Sequence, residues 1–295
     1  MSTASPLLTS EIALRNILFA TDLSPGSLLA LPFAASVAQR YAGKLFLAHI
    51  LPNEDYASVS SESRATLGRL ESGAEEGLVG ALGTLRNVDH EILTDHGSLR
   101  SRLLAVAEKC RVDLIVIGTH GWRGVKKLLR GSTAEEVACA ASRPVLIVGP
   151  HISTGPEFRH ILYETDFSPT SERAMRLAFS LSETYDAPLL CLHVNDWDSK
   201  EPPIEAAPKT VEFFREHLNS YRGRRFAEKC EVRVEFGSRS DRILHLADTQ
   251  AIDLIIMSAP KNKGIRARIA SHLPGSPAYE VVSEAVSPVL AVPAQ

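Results

Sequence analysis

The sequence predicts an α/β fold built from two tandem copies of one doubly wound, parallel-sheet unit, and three observations carry that prediction. Short apolar runs alternate with helix-forming stretches along the chain. The opening run Ile17-Leu-Phe-Ala-Thr-Asp-Leu-Ser-Pro returns as Ile161-Leu-Tyr-Glu-Thr-Asp-Phe-Ser-Pro. A glycine-bearing loop follows the apolar run that ends at Ile117. Strand–helix alternation argues for parallel strands whose crossover helices cover both faces of the sheet. The repeat, about 144 residues long, is far too long for a solenoid period and matches the size of a domain.

In the first copy, Asn16 to Ala20 reads as a strand and Ser24 to Tyr41 as a helix, with Ser24 as cap and Pro25 in the favoured first turn. Lys44 to Ile50 is the next strand. A polar, helical stretch from Ser61 to Leu85 leads to a strand around His90 to Thr94 and a helix from Ser98 to Lys109. The run Val112-Asp-Leu-Ile-Val-Ile is apolar enough for a buried parallel strand. After the glycine loop come a helix from Thr133 to Ala141 and a last strand, Val145 to Val148. The second copy returns the same landmarks: Tyr41 as Tyr185, His49 as His193, Val112-Asp-Leu-Ile-Val-Ile as Ile252-Asp-Leu-Ile-Ile-Met, and Pro144-Val-Leu-Ile-Val as Pro288-Val-Leu-Ala-Val. The junction falls in Gly149-Pro-His-Ile-Ser-Thr-Gly-Pro156, a linker composition, which divides the chain into units 1–150 and 151–295. Unpaired, the apolar terminal strands Val145–Val148 and Val289–Val292 would leave open sheet edges. Pairing them within one chain gives a pseudo-two-fold monomer, and two such chains can form a homodimer.

At 295 residues with 44% hydrophobic and 23% charged content, the chain is ordinary globular material. A net charge of -3 gives no general attraction for nucleic acid or an anionic membrane, so any anion site must be local. Cys110, Cys139, Cys191 and Cys230 show no C-x-x-C or zinc spacing and read as reduced thiols of a reducing compartment. The segment Met1–Glu11 lacks the charge and apolar core of a signal peptide, and no run reaches the length of a membrane span. The expected location is the cytoplasm.

Chemistry concentrates after the Val112 run, in Gly118-Thr-His-Gly121 and, nine residues on, Gly131-Ser-Thr133. Glycines let backbone N–H groups approach a ligand without a Cβ in the way. Ser132 and Glu135 have capping-box spacing, which fixes a helix N-terminus whose unpaired N–H groups attract an anion such as phosphate. The bland alternative is a turn followed by an ordinary cap. Neither common phosphate fingerprint is present. The ligand site of a doubly wound sheet lies beyond the carboxyl ends of the strands at the switch in strand order, and Asp22 and Gly118 both follow strands onto that edge.

With Thr21-Asp22 and Ser24 after the opening strand, His49-Ile50 ending the second, and Gly118-x-x-Gly121-x9-Gly131-Ser132, the chain resembles the universal stress protein family in its tandem form. The glycine pattern looks like that of the family's ATP-binding branch. The resemblance implies a five-stranded Rossmann-like sheet of the adenine nucleotide alpha hydrolase type in each copy, binding ATP, or AMP or ADP, with or without Mg. It implies that Ala20, Thr21 and Asp22 lie beside ribose and base, that the Ile50 backbone lies near the adenine, and that Gly118, Gly121, Gly131, Ser132 and Thr133 face the phosphates. A carboxylate can accept from ribose hydroxyls, and amides and hydroxyls can donate to phosphate oxygens. Ala20 departs from the proline or valine common in ATP-binding relatives.

Several residues have a plainer reading beside the functional one. Asp22 competes with Ser24 as a helix cap. His49 and His193 lack clustered acidic or cysteine partners and read as structural; no metal site is assigned. His120 faces either phosphate or solvent, and Arg123, Lys126, Lys127 and Arg130 either neutralise phosphates or form a solvated face. The second copy replaces the loop by Ser258-Ala-Pro-Lys261, with Gly275-Ser276 displaced and followed by Pro277, although Asp166 and Val194 keep their places. It is therefore expected to bind nucleotide weakly or differently. The leading functional reading is a nucleotide-binding stress-response module. Slow ATP hydrolysis or phosphoryl transfer to Ser132 or Ser24 is the enzymatic alternative, with no catalytic residue assigned, and a nucleotide-free scaffold is the third.

Overall fold

Each apolar run becomes a strand. The computed structural model describes residues 12–51, 88–119, 133–168, 171–195, 206–222, 230–259 and 277–293. In the first half β1 (Asn16–Ala20), β2 (Lys44–Leu51), β3 (Asp89–His96), β4 (Leu114–Gly118) and β5 (Val145–Val148) run parallel. The second half repeats them as β6 (Ile161–Glu164), β7 (Leu189–Asn195), β8 (Cys230–Phe236), β9 (Leu254–Ala259) and β10 (Val289–Pro293). The terminal strands meet antiparallel, with Val289 opposite Ile147 and Ala291 opposite Val145. The result is one ten-stranded sheet, ordered β3-β2-β1-β4-β5-β10-β9-β6-β7-β8. Each half thereby covers the apolar edge that the other would expose.

The helices are α1 (Pro25–Leu28), α2 (Leu31–Arg40), α3 (Leu99–Lys109) and α4 (Thr133–Ala140), then α5 (Glu172–Tyr185), α6 (Ala206–Arg222), α7 (Arg239–Thr249) and α8 (Pro277–Glu284). The single helix expected from Ser24 to Tyr41 is thus two. Pro32 cannot donate to the preceding turn, and it sits in the first turn of α2, where an N–H would have no partner in the helix. The expected strand at Val112 begins instead at Leu114, because Asp113 works as a clamp. Its carboxylate accepts from the backbone N–H groups of Arg15 and Asn16 at 3.0 and 2.9 Å. Asp253 repeats the clamp on Arg159 and His160, at 3.0 Å each. The helical stretch expected between Ser61 and Leu85 lies outside the described residues.

Period-two alternation sorts the strands between two faces. Phe19, Val116, Leu146, Val148, Tyr163, Ile256, Leu290 and Val292 enter one core that runs through both halves beneath α2 and α5. Leu18, Ile115, Val145 and Ile147 enter a separate core on the other face of the first half, and Leu162, Ile255 and Val289 its counterpart in the second. Polar ties reinforce the shared face. Tyr41 and Thr184 bond at 3.3 Å, Arg40 pairs with Glu157 at 3.2 Å, and the Arg40 guanidinium lies 4.6 Å above the Tyr185 ring.

The cysteines depart from expectation. Cys191 on β7 and Cys230 on β8 form a disulfide, their Cα atoms 6.6 Å apart, while Cys110 and Cys139 take no part in one. Strand adjacency, which no local spacing encodes, brings the pair together. Among the described residues no helix is long and apolar enough to cross a membrane.

Candidate functional site

β1 lies between β2 and β4, so the chain leaves β1 in one direction and returns on its other side. This is the switch in strand order where doubly wound sheets place ligands. Ala20 is level with Ala48 on β2 and Ile117 on β4, which brings the ends of β1, β2 and β4 to one carboxyl edge. Ala20, Thr21, Asp22, Ile50 and Gly118 all stand there. Thr133 opens α4, while His120, Gly121, Gly131 and Ser132 lie outside the described residues, as do the basic positions 123, 126, 127 and 130.

The Thr-Asp segment is a tightly specified turn. Leu23 is left-handed, at φ 64°, an uncommon conformation for a residue with a branched side chain. Three hydrogen bonds hold it. The Thr21 hydroxyl accepts from the Leu23 N–H at 2.9 Å and bonds the Ser27 hydroxyl at 2.7 Å. The Asp22 carboxylate accepts from the Ser24 N–H at 3.0 Å. Ser24, not Asp22, caps α1, its hydroxyl accepting from the Ser27 N–H at 3.2 Å. Thr21 is buried with its hydroxyl turned inward, whereas Asp22 is exposed on the edge. His49 is buried and its Nδ1–H donates to the Thr21 carbonyl at 2.8 Å, which ties β2 to the turn and gives that histidine its structural role.

Gly118 has a packing reason to be glycine. A Cβ there would lie 2.7 Å from the Gly26 carbonyl oxygen and 2.7 Å from Ser27 Cα. The close approach of α1 to the end of β4 depends on that missing side chain. Beyond it, the Thr119 N–H donates to the Val148 carbonyl at 2.9 Å and anchors the entrance to the glycine loop on β5.

The second half rebuilds the same turn. Thr165 bonds Ser171 at 3.1 Å and accepts from the Phe167 N–H at 3.0 Å, and Asp166 accepts from the Ser168 N–H at 3.0 Å. His193 Nδ1–H donates to the Thr165 carbonyl at 2.7 Å, and Phe167 is left-handed at φ 57°. Burial alone would raise the Asp166 carboxyl; hydrogen bonds from Ser168 and the nearby Arg239 cation outweigh it and hold the group below the usual aspartate value. Asp166 and Val194 stand at the ends of β6 and β7, and Gly275 and Ser276 lie outside the described residues.

One feature of this edge went unread in the sequence. Glu164, in the place Ala20 holds in β1, is 1% exposed and accepts from Arg239 Nε at 2.6 Å and Nη2 at 2.5 Å. Arg239 opens α7 where Leu99 opens α3. Aligning Gly97-Ser98-Leu99 with Gly237-Ser238-Arg239 shows both replacements, but only the β6–β7–β8 register shows that they meet.

Parallel strands, crossover helices and a turn-lined switch point define a Rossmann-like α/β protein, here duplicated within one chain. The universal stress protein family model matches residues 13–149 and again 157–293, and the chain belongs to that family. Universal stress protein A homolog 1 of Coxiella burnetii is 33% identical over 138 residues, 45% of this chain and 95% of that protein. A universal stress protein structure from Archaeoglobus fulgidus shares the fold across both halves, covering 96% of this chain and 97% of its own at 17% identity and a TM-score of 0.75. A universal stress protein solved in complex with cAMP covers 46% of this chain and 97% of its own, with 25% identity and a TM-score of 0.35.

Proposed function

We propose that the first unit, residues 1–150, binds ATP or a related adenine nucleotide at the carboxyl edge, and that occupancy biases which partner or conformation the chain adopts in a cytoplasmic stress response. Ala20, Thr21, Asp22 and Ile50 form the ribose and base end; Gly118, His120, Gly121, Gly131, Ser132 and Thr133 form the phosphate end. The observation that carries the reading is the contrast between halves at the switch point. The first half presents Ala20 and Gly118, the least bulky residues, where the second presents Glu164 and Ser258. Small residues leave room for a planar base and let backbone amides face an anion.

The test is direct. Denaturing the purified full-length chain and analysing the released small molecules by mass spectrometry should yield an adenine nucleotide, and equilibrium dialysis should show one ATP site per chain. Gly121→Val, which places a branched side chain in the loop, should weaken ATP binding by about tenfold or more, a loss of roughly 1.4 kcal/mol. Unchanged affinity in that variant removes the loop from the site.

A further inference from the structure

We propose that the Glu164–Arg239 ion pair closes the base end of the second half's carboxyl edge, so that this half refuses adenine nucleosides independently of its altered phosphate loop. The proposal rests on the reading that the base lies beside Ala20 in the first half.

The two halves differ here by a matched pair of replacements. In the first half the end of β1 is Ala20, 4% exposed, and α3 opens with Leu99, which is apolar and half-buried. In the second half the same two places carry an acid and a base in contact. The acid is not tolerable alone. A carboxylate that is 1% exposed requires a counter-charge. The pair is also braced from behind: Ser240, the next residue of α7, is buried and donates its hydroxyl to the Glu280 carboxylate on α8. The start of α7 is thereby tied to β6 through Arg239 and to α8 through Ser240.

An adenine entering at this point would have to displace the guanidinium and strand a buried carboxylate. If it instead lay over the pair, its apolar face would rest on charge rather than on alanine and leucine. Phosphates fare no better, since Glu164 and Asp166, on either side of Thr165, set two carboxylates against the one guanidinium of Arg239. Apolar floor in one half and ion-paired floor in the other make the chain a one-nucleotide protein, with the second site self-occupied.

Adenosine tests the base end without needing a phosphate loop. The full-length wild type and the double variant Glu164→Ala/Arg239→Leu, which installs the first half's own residues, are titrated with adenosine by equilibrium dialysis, with folding checked by thermal melting. The expected stoichiometry is one adenosine per wild-type chain and two per variant chain. Two per wild-type chain overturns the proposal, as does one per chain in both proteins, and the latter leaves the first-half site standing. None in wild type and one in the variant upholds the plug while removing the first-half site; none in either overturns both. Glu164→Gln keeps the shape and removes the charge, and serves if the double variant fails to fold. It should admit a second adenosine more weakly than the double variant, and a stoichiometry fixed at one would overturn the proposal.

Discussion

Gly118→Ala isolates packing at the site from ligand chemistry, because its cost can be worked from the folded chain alone. The added Cβ would stand 2.7 Å from the Gly26 carbonyl oxygen, 2.7 Å from Ser27 Cα and 2.8 Å from the Ser27 carbonyl oxygen. Ordinary contact begins at 3.4 Å, so α1 must retreat by about 0.7 Å. All three obstructing atoms are backbone, and no rotamer change relieves them. Overpacking of this kind costs roughly 1–3 kcal/mol. Retreat also draws Ser27 from Thr21, whose hydroxyls are 2.7 Å apart and buried, which adds roughly 0.5–1.5 kcal/mol for the weakened bond. The expected destabilisation is about 2–4 kcal/mol, or a melting temperature lower by roughly 4–8 °C for a chain of this size.

Thermal and urea unfolding followed by far-ultraviolet circular dichroism reads that number without nucleotide present. Ser258→Ala is the control at the matching place in β9; it should cost less than about 1 kcal/mol, within the range of ordinary substitutions. A Gly118→Ala variant within about 0.5 kcal/mol of wild type would refute the argument that α1 sits on a missing Cβ.

Three further outcomes follow from the same geometry. The Cys191–Cys230 disulfide closes a sequence separation of 39 residues, so its reduction should cost up to about 4 kcal/mol on the chain-entropy account; alkylation of the unfolded chain before and after reduction should label two and then four cysteines. Asp166 titrates below the usual aspartate value in the fold, so its stabilisation is fully present above about pH 4 and is lost as pH falls through the folded value; the urea midpoint of Asp166→Asn should therefore fall less than that of wild type between pH 7 and pH 3. Asp113→Ala removes the acceptor for two backbone N–H groups at the start of β1 and should cost roughly 1–3 kcal/mol in urea unfolding, with Asp253→Ala costing a similar amount in the second half.

The sheet and its central junction were legible because buried parallel strands are continuous apolar runs and because Val145–Val148 and Val289–Val292 could not stay unpaired. The break between α1 and α2 was written in Pro32 but masked by the apolar periodicity around it. The disulfide was illegible for a different reason. Cys191 and Cys230 are neighbours only through the register that sets Leu189 opposite Cys230, and spacing rules read local motifs. The exchange of Ala20 for Glu164 stood in plain view within the repeat, yet an acid in a strand has no meaning until its partner is known. Arg239 reaches it from the far end of β8, 75 residues away in sequence.

The duplication also ranks the site residues. Thr165, Asp166, Ser171 and His193 reproduce the three hydrogen bonds that hold the first half's turn and its histidine tie, although the second half has lost the glycine pattern and filled its floor with an ion pair. A turn kept intact where the loop has changed is serving the fold: it locks the left-handed residue that reverses the chain into the following helix, and it fastens the neighbouring strand through the histidine. The Thr21 hydroxyl and the His49 ring accordingly hold the scaffold on which the edge stands. Discrimination must come from residues that differ between the halves, namely Ala20 against Glu164, Leu99 against Arg239, and Gly118 with its following loop against Ser258. Substitutions at Thr21 or His49 should lower stability and ligand affinity together, whereas changes at Ala20 and Leu99 should be able to move affinity alone.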